Sequence, residues 1–479
     1  MSTSSFLPVV AIVGGGFSGA AVAYHLARAL PAHAARIVVF EPRARLGGGL
    51  AYDTDEPVNR INVPAARMSL LPEDGEHFAR WLRVTGYLAT DPDAETADGH
   101  VFTRRSAFGR YVANQLAPLL ASGAVEHHRG RVAAVTRQEG GDWRIAAADG
   151  TVLFADTVVI ATTHPAPRAP AVLAHALAGH PGYIPDATVP GALRRIGALD
   201  RVLVVGAGLT AADVIAALDA RGHRGLITAV SRRGLRARGH DLAAPAPFGN
   251  FTAPPARSAR ALLRRIRQTV AEAGAQDVGW HAVIDRVRAE GGTIWRALPL
   301  AEQRRLLRFL RPYWDAHRFR IAPQVEAVLE QRLAEGTLAF RAGSIAAAEH
   351  DAAGGLAVRL RLRLRLRHGG GFEDGRFDAV VVTTGPGHEA VLESQPYLSG
   401  LAAAGHVRAD PVGLGLLVDE QSRSVAASGR PSGTLFVAGP LARGTFGELM
   451  GLPQVTEHAV LVARAIAASL PAAQVRAHG

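Results

Sequence analysis

The chain has 479 residues, a formal net charge of +11 and a hydrophobic content of 48%, which is enough for two or three domains with a large core. It contains no cysteine, and all 53 of its basic residues are arginine. This composition excludes disulfides, thiolate catalysis, redox-active cysteine pairs and Schiff bases on lysine.

A glycine-rich turn follows the first apolar run. Residues 8–13 predict a buried strand and residues 20–30 a helix, with Gly14, Gly15, Gly16, Phe17, Ser18 and Gly19 between them. In this G-x-G-x-x-G spacing the first glycine bends the chain, the second leaves room for a pyrophosphate, and the third lets the helix pack on the strand. The next predicted strand ends at Glu41, 22 residues after Gly19, where an acid accepts hydrogen bonds from ribose hydroxyls. The pattern predicts a dinucleotide site.

A second glycine loop, Gly47 to Gly49, comes soon after Glu41. It permits another close backbone approach to the same cofactor, and an ordinary loop is the alternative. Further patterns predict helices at 74–83 and 106–120, antiparallel strands at 126–135, 143–147 and 151–154, and a buried strand at 156–163. Prolines at 165, 167 and 170 then mark a crossing into another domain.

The G-x-G-x-x-G/A pattern returns at Gly206, Gly208, Thr210 and Ala211, after an apolar run at 201–205. Where an acidic residue would follow the next strand, the chain has Arg232 and Arg233. Arginine there can pair with the 2′-phosphate of NADPH, although a surface pair of arginines is the alternative. Two such turns in one chain predict two dinucleotides, one of which reduces the other, and the choice between NADPH and NADH stays open.

The remaining patterns predict a helical, arginine-rich stretch from about 254 to 335 that contains three of the five tryptophans. We interpret it as an insertion that forms either a wall between cofactor and substrate or a helical cap. Residues 358–367 alternate apolar residues with arginine, as a half-exposed strand does. A buried strand at 378–385, another at 433–438 with a glycine loop after it, and a helix at 454–468 complete the chain.

Four motifs resemble bacterial FAD/NAD(P)-binding flavoproteins, a family that includes FAD-dependent urate hydroxylases and aspartate N-hydroxylases. The motifs are Val13–Gly19, Leu46–Gly49, Asn62-Val63-Pro64 with Met68-Ser69, and Phe436–Gly439. The resemblance implies that FAD is held by Gly14, Gly16, Ser18, Gly19 and Glu41, with Gly47, Gly48 and Asn62 nearer its ring, Val132 at the adenine, and Gly439 and Gly444 on the C-terminal side. It implies that Gly206, Gly208, Thr210, Arg232 and Arg233 serve the nicotinamide coenzyme.

By the same resemblance, the protein is expected to be a monooxygenase in which NAD(P)H reduces FAD and O2 supplies an oxygen atom to a small anionic substrate. The leading expectation is conversion of urate to 5-hydroxyisourate. The alternatives are N-hydroxylation of an amino acid such as aspartate, and an electron-transfer flavoprotein that oxygenates nothing. His240, beside Asp241, is a candidate acid or base, with a surface histidine as the favoured alternative. No motif predicts a metal site.

The predicted fold is α/β with two Rossmann-like domains, the second inserted into the first. The FAD domain comprises residues 1–165 and 386–479, and the NAD(P) domain comprises 166–385 with the helical insertion. The arginines are dispersed and no nucleic-acid-binding module is visible, so we expect no nucleic-acid partner. No long apolar run predicts a membrane span, and a cytoplasmic enzyme of open oligomeric state is expected.

Overall fold

The computed structural model describes residues 7–243, 245–350, 355–362 and 371–470. The strands are β1 (Val9–Val13), β2 (Arg36–Phe40), β3 (Glu126–His128), β4 (Val132–Arg137), β5 (Trp143–Ala147), β6 (Val152–Ala155), β7 (Thr157–Ile160), β8 (Tyr183–Ile184), β9 (Val202–Val205), β10 (Ile227–Ser231), β11 (Leu338–His350), β12 (Leu356–Leu362), β13 (Phe372–Phe377), β14 (Ala379–Val382), β15 (Arg423–Val425) and β16 (Pro431–Val437). The helices are α1 (Phe17–Ala29), α2 (Gly49–Tyr52), α3 (His77–Val84), α4 (Arg105–Ala121), α5 (Ala171–Ala176), α6 (Leu209–Ala220), α7 (Ala259–Gly274), α8 (Trp280–Ala289), α9 (Gly291–Ala297), α10 (Leu300–Phe309), α11 (Arg311–Arg318), α12 (Pro323–Ala334), α13 (Pro396–Ala403), α14 (Arg443–Phe446) and α15 (Gln454–Ser469).

The first sheet has the order β15-β16-β7-β1-β2-β3, and all of its pairings are parallel except that of β15 with β16. Its central strands are almost wholly apolar because helices and loops cover both of their faces. Helix α1 packs against α4 and against α15. This unit, which we call the first unit, is therefore built from both ends of the chain.

The second sheet has the order β13-β12-β11-β10-β9-β14-β8. Strands β8, β14, β9, β10 and β11 pair in parallel, whereas β12 and β13 join antiparallel at one edge. We call this sheet and its helices the second unit. Both sheets carry a strand–glycine turn–helix start, β1 to α1 and β9 to α6, and the predicted fold class is confirmed.

Helices α7 to α11 follow β10 and form a separate apolar cluster around Phe251, Leu262 and Val283. Helix α12 instead packs against α6 and leads into β11, as a crossover helix of the sheet does. We therefore use "the insertion" for α7 to α11. The predicted insertion range of about 254–335 also takes in α12.

Two strand predictions differ from the structure. The stretch 126–135, expected as one antiparallel strand, splits because β3 pairs in parallel with β2, whereas β4 begins a separate antiparallel sheet with β5 and β6. The alternating stretch 358–367 contributes to β12 as far as Leu362, and 363–367 lie outside the described residues. Within the described ranges, no helix is both long and apolar enough to cross a membrane.

Charged hydrogen bonds join the first and second units along a surface that we call the interdomain seam. Arg105 of α4 donates through Nε to the carbonyl oxygen of Arg60 at 2.8 Å and forms an ion pair with Asp213 of α6 at 2.8 Å. Arg60 is itself buried and paired with Asp91 at 3.0 Å. Burial alone would raise the pKa of Asp91, but hydrogen bonds from Arg60 and from a backbone N–H keep it below its usual range.

Candidate functional site

The first glycine turn needs glycine at its first and third positions. Gly14 has a φ of +102°, and a Cβ there would lie 2.7 Å from the carbonyl oxygen of Ala161 at the end of β7. A Cβ at Gly19 would overlap the carbonyl oxygen of Gly14. At the second position, Gly16, the nearest atom to a Cβ would be the Cα of Gly49, at 3.4 Å. The first and third glycines of the turn are therefore packed tightly against protein, whereas the second, Gly16, has only Gly49 as a close neighbour.

Glu41 lies directly beside this turn, at the end of β2. Its side chain is buried at 4% exposure. Carboxylate Oε2 accepts from the N–H of Gly15 at 3.0 Å, and Oε1 accepts from the N–H of Arg43 at 3.1 Å. The acid therefore lies beside the turn and stabilises the turn's backbone, and its contact with a ribose stays a prediction.

The second glycine loop packs against the first turn. The N–H of Gly47 donates to the carbonyl oxygen of Gly15 at 2.8 Å, and a Cβ at Gly49 would lie 2.8 Å from the Cα of Gly16. Gly48 precedes α2 and contacts Asp53 instead. The loop therefore lies where a molecule bound at the first turn would meet it.

The C-terminal segment reaches the turn at Gly439. This residue has a φ of +76°, and a Cβ there would overlap the hydroxyl of Ser18. Gly444 lies further away in sequence and packs against protein, because a Cβ there would overlap the carboxylate of Asp410 and its carbonyl accepts from Trp295 at 2.8 Å. The structure thus brings Gly439, but not Gly444, against the residues of the first turn.

His458 of α15 supports Gly439 from behind. Its Nδ1 accepts from the N–H of Gly439 at 3.2 Å, and its Nε2 lies 3.0 Å from the hydroxyl of Ser422. Burial lowers the pKa of His458 to about 4. The ring is therefore neutral at pH 7 and can accept at Nδ1 while it donates at Nε2.

Three other predicted residues lie in different surroundings. Phe17 is 8% exposed and its ring centroid is 5.4 Å from that of Phe108, so its side chain belongs to the core. Val132 is buried at the start of β4, within the apolar cluster beneath the first sheet. Asn62 is half-buried at the interdomain seam.

The second glycine turn repeats the packing of the first. Gly206 has a φ of +133°, and a Cβ there would lie 2.7 Å from the carbonyl oxygen of Thr383 at the end of β14. A Cβ at Gly208 would meet nothing within 4 Å, and Gly208 is exposed. Thr210 is half-buried in the first turn of α6. The space beside Gly208 at this helix N-terminus is therefore open, as a phosphate site requires.

The two predicted arginines after β10 have different partners. Arg232 is exposed. Arg233 donates to the hydroxyl of Tyr313 at 3.1 Å, and its guanidinium carbon lies 5.0 Å from the centre of that ring. Arg232 is thus the freer of the two to reach a phosphate group.

His240 is not the surface histidine that the sequence favoured. It lies at the seam, where Nε2 is 3.0 Å from the carbonyl oxygen of Asn62 and the ring centroid is 5.0 Å from that of Phe102. Burial, aided by nearby Arg320, lowers the pKa of His240 to about 4. The neutral ring donates to Asn62 at pH 7 and links the second unit to the loop predicted to lie near the flavin.

Sequence reasoning missed a cluster of buried charges between the insertion and the C-terminal segment. Arg318 of α11 donates to Glu448 from Nη2 at 2.6 Å and from Nε at 3.1 Å. Arg288 of α8 is buried nearby, at 7% exposure. No spacing motif marks these arginines among the 53 of the chain. Across the described residues, no group of three or more His, Asp or Glu side chains is arranged to hold a metal ion.

Comparisons with known proteins agree with this geometry. Residues 11–165, which contain the first glycine turn, match the model of a protein family described as FAD-NAD(P)-binding. No match was found among curated protein sequences.

Solved structures share the fold across nearly the whole chain. An ornithine hydroxylase from Pseudomonas aeruginosa, in its reduced form, is 15% identical, with a TM-score of 0.65 over 97% of this chain and 100% of that one. An ornithine N-hydroxylase from Kutzneria sp. 744, solved with reduced FAD, NADP+ and L-ornithine, is 18% identical, with a TM-score of 0.63 over 96% and 99%. A lysine 6-monooxygenase from Pseudomonas syringae is 20% identical, with a TM-score of 0.61 over 97% and 98%.

The neutral state of His458 predicts a loss of stability in acid. The pKa of His458 falls from 6.5 in the unfolded chain to about 4 in the folded protein. Below pH 6.5 the unfolded chain therefore binds a proton that the folded protein does not, and the free energy of unfolding should fall by on the order of 3 kcal/mol by pH 4. In the variant His458→Asn, whose amide can still accept from Gly439, this contribution should disappear.

Urea unfolding at several pH values measures the effect. As the pH is lowered from 6.5 to 4, the free energy of unfolding should fall more steeply in wild type than in His458→Asn. The control His175→Asn, at an exposed position, should keep the wild-type slope. Parallel curves for wild type and His458→Asn would contradict the prediction.

Proposed function

We propose that the protein is an FAD- and NADPH-dependent monooxygenase that hydroxylates the amino group of a small amino acid. The observation that carries the proposal is the pair of glycine turns in one chain, within a fold shared with proteins named as ornithine and lysine hydroxylases. These comparisons favour N-hydroxylation, which the sequence leaves as an alternative, over the hydroxylation of urate.

The proposed reaction is balanced by its two co-substrates. The amine, O2, NADPH and a proton give the hydroxylamine, NADP+ and water. One oxygen atom forms the new N–O bond and the other leaves as water, while NADPH supplies two electrons as a hydride. Bound FAD would supply the electron relay and oxygen activation that amino-acid side chains lack.

The chain's own residues would bind and orient the two nucleotides. Around the first turn, Gly16 and Ser18 would contact the FAD pyrophosphate, Glu41 the adenosine ribose, and Gly439 would close over the same turn. These roles fit a turn whose first and third glycines are packed by protein while its second meets only Gly49.

The second turn would hold NADPH. Its pyrophosphate would lie on the N–H groups of α6 beside Gly208 and Thr210, with Arg232 and Arg233 at the 2′-phosphate. The interdomain seam would hold this coenzyme at a constant position relative to FAD. Its packed, hydrogen-bonded side chains would also limit the access of water to the reacting atoms.

A substrate screen tests the proposal directly. Purified protein should be yellow, NADPH should bleach it without oxygen, and L-ornithine, L-lysine or L-aspartate should stimulate NADPH oxidation with formation of a hydroxylamine. Stimulation by urate alone would instead support urate hydroxylation. If no substrate raises oxidation above the basal rate, the electron-transfer alternative replaces the proposal.

Two matched glycine substitutions separate the nucleotide sites. Gly16→Val should abolish FAD content, because its side chain would occupy the pyrophosphate position and crowd Gly49. Gly208→Val should keep its colour and lose reduction by NADPH, because its side chain would extend into open space where the coenzyme binds. Flavin absorbance and anaerobic bleaching measure the two effects. A colourless Gly208→Val protein, or a yellow Gly16→Val protein, would contradict the assignment.

The exposed Arg232 predicts a preference for NADPH. In Arg232→Ala the KM for NADPH should rise about 10-fold or more, as expected for a lost charge-assisted hydrogen bond. The KM for NADH should stay constant, because NADH has no 2′-phosphate. The control Arg233→Ala should have a smaller effect, since Arg233 is shared with Tyr313. An equal rise for both coenzymes would contradict this role.

A further inference from the structure

Several charged residues meet where the insertion packs against the first unit. We call this group the arginine junction: it consists of Arg67, Asp285, Arg288, Arg318, Arg320 and Glu448. The group joins the loop after Asn62, the helices α8 and α11, and the segment before α15. It therefore connects the insertion, which has no nucleotide-binding fold, to the N-terminal and the C-terminal parts of the first unit.

Two of its arginines have their own carboxylate. Arg318 pairs with Glu448 at 2.6 Å, and both groups are buried. Arg320 pairs with Asp285 at 3.0 Å, and its guanidinium lies 5.5 Å from the ring centre of Trp280. These contacts use both carboxylates of the junction.

Arg288 has no such partner. Its Nη2 donates to the side-chain carbonyl of Gln454 at 2.9 Å and to the carbonyl oxygen of Leu452, whereas its Nε is buried with no hydrogen-bond partner. No carboxylate of the described residues forms an ion pair with it. Burial, together with neighbouring Arg318, lowers the pKa of Arg288 to about 9. The guanidinium is thus a buried cation held by neutral oxygens.

Another buried arginine of the chain, Arg332, has its charge balanced by partners within the protein. Arg332 is 1% exposed and also has a buried Nε without a partner. However, it pairs with Asp219 at 3.3 Å and donates to the carbonyl oxygens of His223 and Gly225 at 2.7 and 2.8 Å. Buried charges are normally paired in this way. Arg288 has no such ion pair: the carboxylates of Glu448 and Asp285 are close enough to raise its pKa, but neither is bonded to it. Its guanidinium can therefore take a further anion.

We propose that Arg288 binds the carboxylate of the substrate, so that the protein acts on an amino acid and discriminates against simple amines. This inference rests on the proposed N-hydroxylation. A planar guanidinium with free N–H groups matches the geometry of a carboxylate. Arg67, which is 51% exposed and 3.9 Å from Asp285, gives the junction a cationic approach from solvent.

The location of Arg288 favours a substrate over a nucleotide phosphate. Arg288 belongs to α8 of the insertion and to neither glycine turn, and its side chain reaches the start of α15 through Gln454. Both predicted phosphate sites lie at the N-termini of other helices, α1 and α6. The carboxylate would therefore bind on the insertion side of the first unit.

The test uses the full-length, FAD-loaded protein and pairs of amines that differ by one carboxylate. L-Ornithine is compared with putrescine, and L-lysine with cadaverine. Calorimetric binding without NADPH, and KM and kcat with NADPH, are measured for each. Wild type should bind the amino acid of its preferred pair at least about 10-fold more tightly than the decarboxylated amine.

In Arg288→Gln, the Kd and KM for the amino acid should rise about 10- to 100-fold, whereas kcat and the Kd for the diamine should change little. Arg288→Lys should recover part of the loss. Arg286→Gln is the matched control on the same helix, because Arg286 has its own neighbour in Glu290 at 3.8 Å. This control should bind both members of the pair as wild type does.

Failure of this inference can be distinguished from failure of the proposed function. If no amine is hydroxylated, succinate is titrated as a carboxylate without an amino group, and its binding should still weaken in Arg288→Gln. Equal binding of amino acid and diamine by wild type, or unchanged carboxylate binding in a folded Arg288→Gln, would overturn the assignment. A changed flavin midpoint potential with unchanged Kd would also overturn it, since Arg288 would then serve the reduced flavin.

Discussion

The two units are held together at the interdomain seam, where the guanidinium of Arg105 contacts both of them. It donates to the backbone of Arg60 in the first unit and pairs with Asp213 in the second. Burial raises the pKa of Asp213, and the charge of Arg105 opposes that rise. A partly buried pair of this kind has a well-defined geometry because water competes with it weakly. It therefore limits how far the two nucleotide turns can move apart.

The two glycine turns have the same backbone geometry. In each turn the first glycine lies against the residue that follows a neighbouring parallel strand. Gly14 lies against Ala161 after β7, and Gly206 lies against Thr383 after β14. The surroundings of the second glycine differ, because Gly16 is covered by Gly49 while Gly208 is open. This difference suits a resident cofactor enclosed by a loop and a coenzyme that must enter and leave in each turnover.

Local patterns could predict the turns, the central strands and Glu41, because the G-x-G-x-x-G spacing and the apolar runs act within about 30 residues. Contacts between distant residues could not be predicted. Arg318 and Glu448 are 130 positions apart, and Arg288 and Gln454 are 166 apart. In a chain whose cations are all arginine, nothing local distinguishes a buried guanidinium from a solvated one. The buried position of His240 could not be predicted for the same reason, since its partner Asn62 is 178 positions away.

The packing of α15 on α1 has a consequence for how the protein is made. Ser18 is covered by Gly439, and the hydroxyl of Thr456 donates to the backbone of Ser69 at 2.9 Å. On the ribosome, domains form in the order in which their residues emerge. The second unit can thus fold before the first unit, which is incomplete until β16 and α15 have been synthesised. The surroundings of the first glycine turn are therefore complete only after β16 and α15 have joined the first unit.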